Sequence, residues 1–272
     1  KNYLLHVPFL LRCLALVLVI LVLARPQTTN KWQNSEIEGI DIMLAIDVST
    51  SMLAEDLKPN RLEAAKDVAA EFINGRPNDN IGITLFAGET FTQCPLTVDH
   101  AVLLDMIHNI KCGLITDGTA VGMGIANAVT RLKDSKAKSK VIILLTDGTN
   151  NKGDISPMTA AEIAKSFGIR VYTIGVGTNG MAPYPYPVGN TVQYVNMPVE
   201  IDEKTLTQIA GTTDGNYFRA TSNSKLKEVY EEIDKLEKTK LNVKEYSKRD
   251  EEYQWFALAA FLCVLLEVLL RN

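Results

Sequence analysis

The sequence is short of the features that most readily betray a function. It has no basic excess: 28 lysines and arginines face 32 acidic residues, a formal net charge of −4, and the charges are interspersed rather than blocked. Nothing in that balance points to nucleic acid. Histidine is scarce, with only His6, His100 and His108 in the chain, so a Cys94–His100 hydrolase has little to draw on. The four cysteines include no pair at CxxC spacing, which argues against a zinc site. Gly122-x-Gly124 fails as a dinucleotide fingerprint, because position 127 is Asn and no strand runs straight into it. Small residues for helix packing explain that pair better. A phosphatase-like site needs a second Asp two residues after Asp47, where Ser49 stands. No enzyme is expected.

What is present is unevenly spread. A length of 272 residues suits one large domain with appendages, and the apolar residues crowd at the two ends. Val7 to Ala24 is apolar except for Arg12, and Tyr253 to Leu270 is apolar except for Glu267. Each run is about 18 residues, the lower end of what spans a bilayer. The first run has no small-residue cleavage site and ends in Arg25-Pro26, which argues against a removed signal peptide. Tyr253 and Trp255 open the second run, where interfacial aromatics sit. A chain that opens on Lys1 rather than Met is expected to continue upstream. The expected organisation is a transmembrane helix and linker over 1–35, a domain over 36–240, and a linker and second transmembrane helix over 241–272. The short tails opposite the domain carry Lys1, Arg12 and Arg271, which favours a domain outside the cytoplasm. Arg12 and Glu267 fall at matching depths, roughly 18–20 Å from the domain-side interface. They are candidates for an ion pair between the helices, against separate snorkelling to the far interface. Cys94 and Cys112 are available to pair if the domain faces an oxidising compartment.

Between the ends the chain alternates strand-like and helix-like segments. Apolar runs at 41–46, 81–86, 140–146 and 169–176 read as buried strands, with 91–93 a short edge strand before Pro95 and 216–218 a further strand. Residues 61–73 place Leu62, Ala65, Ala69, Phe72 and Ile73 on one helical face, and further helices are expected over 101–110, 121–132, 160–168, 205–211 and 225–236. This alternation predicts an α/β fold with a mostly parallel central sheet covered on both faces by helices. Ligands in such sheets bind where loops converge at the carboxyl ends of the strands. Residues 178–198 interrupt the alternation there, rich in Pro, Gly and Tyr. Tyr184, Tyr186 and Tyr194 are candidate partner-contact residues in that insertion, the alternative being that they pack the loop down.

The chemistry gathers on the same edge. Asp47-x-Ser49-x-Ser51 follows the first strand, Thr119 precedes a helix, and Asp147 follows the 140–146 strand. Three hydroxyls and two carboxylates form an oxygen-rich, sulfur-free set that suits a hard cation. Asp and Ser also suit such turns because they bond nearby backbone amides.

These five positions, in this order, resemble the metal-ion-dependent adhesion site of von Willebrand factor A domains over roughly residues 40–236. The resemblance implies a Rossmann-like fold in which Ser49, Ser51 and Thr119 meet Mg²⁺ (or Mn²⁺ or Ca²⁺), and Asp47 and Asp147 act directly or through water. It also implies an open coordination position for an Asp or Glu of a partner protein. A narrower likeness, carried by residues 24–27, 47–66, 91–97, 117–126, 199–206 and 217–222, is to the BatA and BatB proteins of bacterial aerotolerance operons. That likeness implies an inner-membrane protein with a periplasm-facing domain, other Bat proteins as companions and a MoxR-type AAA+ ATPase as partner. The competing function is a membrane scaffold that assembles through its transmembrane helices and holds only a structural metal.

Overall fold

The computed structural model describes residues 7–23, 27–28, 39–178, 180–188, 191–242, 250–251 and 253–271. The chain divides into two compact units, Ile37–Lys244 and the two ends, Lys1–Glu36 with Glu245–Asn272.

In the terminal unit, helix α1 (Val7–Leu23) packs on helix α8 (Tyr253–Arg271), and two-residue strands β1 (Gln27–Thr28) and β10 (Asp250–Glu251) pair antiparallel. Among the described residues no helix is long and apolar enough to cross a membrane. Helix α1 has 17 residues and α8 has 19, or about 26 and 29 Å at 1.5 Å per residue. Arg12 is exposed on α1, while the side chain of Glu267 lies outside the described residues and the pairing of the two with it.

The larger unit is built on a six-stranded sheet in the order β4-β3-β2-β5-β6-β9. Its strands are β2 (Asp41–Asp47), β3 (Asn80–Phe86), β4 (Thr90–Thr97), β5 (Lys140–Thr146), β6 (Ile169–Val176) and β9 (Tyr217–Ala220). All neighbours are parallel except the β3–β4 pair. Strand β2 is buried at every residue, and alternation sends Ile42, Leu44 and Ile46 to one face and Met43 and Ala45 to the other. The first face is covered by α2 (Arg61–Asn74), α3 (His100–His108) and α7 (Asn223–Asn242), the second by α4 (Val121–Leu132), α5 (Pro157–Ser166) and α6 (Glu203–Thr212). The helical face read from the sequence, Leu62 through Ile73, is the one that α2 buries.

Strand β4 runs further than the three residues expected. Pro95 is tolerated because β4 is an edge strand and its pairing with β3 shifts register between Ile81 and Thr84. The insertion forms an antiparallel hairpin of β7 (Met181–Val188) and β8 (Thr191–Pro198). Cys94 and Cys112 are both free, so they do not pair.

Helix α4 owes its close seat to its glycines. A Cβ on Gly122 would stand 2.1 Å from the carbonyl oxygen of Ile155, and one on Gly124 would stand 2.7 Å from the Phe86 ring. Gly-to-Ala in a helix ordinarily stabilises by up to about 1 kcal/mol. At Gly122 the backbone contact reverses the sign, and Gly122→Ala is expected to destabilise the domain by roughly 1–3 kcal/mol. Denaturant unfolding of the two proteins measures this directly; an alanine variant at least as stable as the wild type would contradict the packing.

Candidate functional site

The sheet changes direction between β2 and β5, since the chain moves outward from β2 to β3 on one side and returns to β5 on the other. The crevice above that switch is where an open α/β sheet can hold a ligand. Asp47 ends β2 and Asp147 follows β5, so the two carboxylates arrive there on adjacent strands.

Both are buried. Asp47 Oδ1 accepts from the Ser49 amide at 2.9 Å, closing the turn, and its Oδ2 accepts from Thr146 Oγ1 at 2.6 Å. Asp147 Oδ1 accepts from Ser51 Oγ at 2.7 Å, and Ser51 Oγ lies 3.0 Å from Ser49 Oγ. Four of the five candidate residues are therefore joined by hydrogen bonds, Ser49, Ser51 and Asp147 through their oxygens and Asp47 through the Ser49 amide. Thr119 stands nearby, on the loop before α4 and beside Gly148, the residue after Asp147. Its amide donates to Asn151 Oδ1 at 2.9 Å, and its hydroxyl lies 3.3 Å from where a Cβ on Gly148 would be. Asp117 is not a member of the group. It accepts from the Thr50 amide at 3.0 Å and from Thr50 Oγ1 at 2.9 Å, and so pins the turn that presents Ser49 and Ser51. Burial raises the Asp117 carboxyl, but the Thr50 bonds outweigh it and hold the group below its ordinary value.

Arg61 was not among the candidates. It is buried at the start of α2, where its Nε and Nη2 each donate to Asp56 at 2.7 Å and its Nη1 donates to Asp147 Oδ2 at 2.6 Å. Its sequence signal was spacing. Arg61 leads the row continued by Ala65 and Ala69, and a charge in register with a core face needs buried partners. Asp56 in turn accepts from the Thr178 amide at 2.8 Å. Gly177, at φ +140°, leaves room for the guanidinium, since a Cβ there would stand 2.7 Å from Arg61 Nη2. Burial raises Asp56, yet the Arg61 and Thr178 bonds prevail and hold it down at about 2.

The insertion borders this group. The Glu55 amide donates to the Pro183 carbonyl at 2.8 Å, and Tyr194 OH donates to Glu55 Oε1 at 2.9 Å. Tyr184 is half-buried, whereas Tyr186 and Tyr194 are exposed. Cys94 is buried, and burial, then the charge of Asp99, pushes its thiol up, opposite to what a nucleophile needs.

The electrostatics leave a deficit of positive charge. Burial, and then the charge of Asp147, pushes the Asp47 carboxyl up to about 7. Burial also raises Asp147, against the opposing pull of Arg61 and Ser51. The Arg61 guanidinium is spent on two carboxylates, Asp56 and Asp147, and none of its bonds reaches Asp47. Among the described residues no three His, Cys, Asp or Glu side chains gather as a metal-binding group. The set at the switch has two carboxylates and completes its donors with hydroxyls, all oxygen, which fits a hard divalent cation.

Residues 41–232 match the von Willebrand factor type A domain family. BatB from Bacteroides thetaiotaomicron is 34% identical, covers 74% of this chain and all of its own, and superimposes with a TM-score of 0.65. An aerotolerance-related membrane protein from Bacteroides fragilis, with multiple mutations to serines, is also 34% identical, covers 72% of this chain and all of its own, and has a TM-score of 0.63. Proximal thread matrix protein 1 from the mussel byssus, with a zinc-occupied adhesion motif, is 25% identical, covers 73% of this chain and 46% of its own, and has a TM-score of 0.58.

The raised Asp47 fixes the sign of a pH effect. A carboxyl whose folded value lies above its unfolded value favours the fold while protonated. That contribution is lost as pH rises from about 4 to about 7. The lowered Asp56 acts only below about pH 4, outside this window. Mg²⁺ is therefore expected to raise the melting temperature of chelator-treated protein more at about pH 7.5 than at about pH 5. In Asp47→Asn the Mg²⁺ increment should vanish at both. Thermal unfolding at the two pH values, with and without Mg²⁺, measures this; an increment independent of pH, or unchanged in the variant, would contradict it.

Proposed function

The chain belongs to the von Willebrand factor type A domain family, in the group of BatA and BatB proteins, and from that premise we propose that it is a membrane-anchored, divalent-cation-dependent protein-interaction module. The family is one of interaction modules, and the proposal concerns how this member works. Asp47, Ser49, Ser51, Thr119 and Asp147 would hold Mg²⁺, or Mn²⁺ or Ca²⁺ in its place. A cation bound there supplies an electrophilic position for an Asp or Glu of a partner protein. The single observation that carries this reading is the buried pair Asp47–Asp147, tied together through the Ser49–Ser51 turn, with an arginine on Asp147 alone and that arginine shared with Asp56. The zinc-occupied motif of the mussel protein supports a divalent ion at such a site, and the oxygen-only donor set favours a harder one.

The chain's own residues supply orientation. Asp117 holds the Ser49–Ser51 turn, Arg61 holds Asp147, and Asp56 ties Arg61 to the base of the hairpin at Thr178. The β7–β8 hairpin, with Tyr186 and Tyr194 exposed, would lend selectivity by touching the partner around its carboxylate.

The Bacteroides proteins' names support a bacterial membrane setting and a part in aerotolerance. We place the domain on the periplasmic side of the inner membrane, with other Bat proteins and a MoxR-type AAA+ ATPase as partners. The mutual packing of α1 and α8, which leaves Leu16, Ile20, Trp255 and Phe261 exposed, supports anchoring by the terminal unit. The same packing favours a second reading, in which contacts among apolar helices do the assembling and the metal is structural.

The two readings separate in one experiment. Partners co-purifying with the wild type in Mg²⁺ are expected to be lost both in EDTA and in Asp47→Ala, with the domain still folded. Partners retained in all conditions would overturn metal-dependent adhesion and move the interaction to the helices.

A further inference from the structure

The β7–β8 hairpin has two edges of opposite character. Strand β7 reads Met181-Ala-Pro-Tyr-Pro-Tyr-Pro-Val188, with prolines at 183, 185 and 187 paired with Asn196, Tyr194 and Val192. A proline has no N–H to give the ladder, so these three pairs must be the non-hydrogen-bonded ones. Two contacts agree: the Pro183 carbonyl points away from β8, to the Glu55 amide, and the Val199 amide donates to the Gly180 carbonyl two residues along from Ala182. The outer edge of β7 is thus closed to further pairing over most of its length, because three of its four outward positions are prolines and only Met181 at its start keeps an N–H.

The outer edge of β8 is open by the same register. The N–H and C=O groups of Val192, Tyr194 and Asn196 point away from β7. All eight residues of β8 are exposed, and β8 has β7 as its sole strand partner among the described residues. From 181 to 198 there is no charged residue, and Val192, Tyr194 and Met197 are exposed apolar groups. Natural edge strands are ordinarily blunted by charge, proline or a bulge. Here β7 is blunted three times and β8 not at all before Pro198.

We propose that the β8 edge joins two copies of this chain, by antiparallel pairing of β8 with β8 about a two-fold axis at Tyr194. The outward positions favour a second copy as the occupant. Tyr194 is their midpoint, so the axis sets Tyr194 against itself and Val192 against Asn196 of the second copy. Each outward N–H then meets a C=O, and Pro198 falls beyond the paired stretch. A two-fold axis also brings like residues together, which an uncharged strand permits and a charged one would resist. The joined sheet runs β7-β8-β8-β7 and presents edges on which three of four outward positions are prolines, so pairing stops at two rather than growing into a fibre. The pairing uses the backbone edge of β8 and does not rest on the function proposed for the cation site, although Tyr194 lies on the hairpin that borders it.

The test uses the full chain in detergent solution, with mass measured by sedimentation over a concentration series. The wild type should carry twice the protein mass of one chain at high concentration and dissociate on dilution. Val192→Pro/Asn196→Pro, which deletes outward N–H groups and leaves those of Gln193 and Val195 in the hairpin, should remain a single chain throughout. Hydrogen–deuterium exchange of the wild type reads the same edge without mutation. The amides of Val192, Tyr194 and Asn196 should be protected at high concentration and lose protection on dilution, while those of Gln193 and Val195 stay protected. A wild type monomeric at every concentration, a dimer indifferent to the two prolines, or outward amides that exchange fast throughout would overturn the proposal. That holds even if an added extended peptide from another protein were found on the edge.

Discussion

Two carboxylates taken out of water side by side are among the less favourable arrangements a fold can hold, and this domain holds them at the centre of its sheet. Desolvation and mutual repulsion both act against ionising Asp47 beside Asp147. Strand β2 could end in an apolar residue at no cost to the sheet, since its six preceding positions are buried. The pair persists because its surroundings are committed to it. Thr146, the Ser49 amide, Ser51 and Arg61 each spend a donor on one of the four carboxylate oxygens. What those donors leave unbalanced is charge, and a divalent cation is the kind of ligand that completes it.

The rest of the upper surface follows from that requirement. Arg61 can reach Asp147 because α2 begins beneath the crevice, and it is held there by Asp56. Asp56 is also where the hairpin begins, through Thr178, and Glu55 beside it takes the Pro183 carbonyl and the Tyr194 hydroxyl. One chain of hydrogen bonds therefore runs from the candidate ligands to the insertion. A change at the carboxylate end has a physical route to the base of the hairpin at Thr178, through groups that are buried or half-buried and so weakly screened.

Much of this was legible in the sequence because it rests on period and position. The buried strands read as uninterrupted apolar runs, the face of α2 as a helical stripe, and the five oxygen donors as loop residues immediately after strands or before a helix. The Gly122-x-Gly124 pair read as packing, and the Ile155 carbonyl and the Phe86 ring are what it packs against. What stayed hidden depended on contacts far apart in the chain. Arg61 and Asp147 are separated by 86 positions, and Asp56 and Thr178 by 122. Asp117 was not among the candidates, and only the fold reveals that its carboxylate holds Thr50 and so the Ser49–Ser51 turn. Strand β4 was underestimated because Pro95 is a poor strand residue anywhere except at an irregular edge. The terminal runs were clear as apolar segments, whereas the pairing of Arg12 with Glu267 belongs to side chains outside the described residues.

The central claim is that the oxygens gathered around Asp47 and Asp147 form a cation site. The most direct measurement is a titration of the chain with Mn²⁺, in which electron paramagnetic resonance distinguishes free from bound ion. The account predicts one ion bound per chain, displaced by excess Mg²⁺ and lost when both serines are removed in Ser49→Ala/Ser51→Ala. Mn²⁺ that stays free beside the folded wild-type chain, or binds the double variant as well as the wild type, would contradict it.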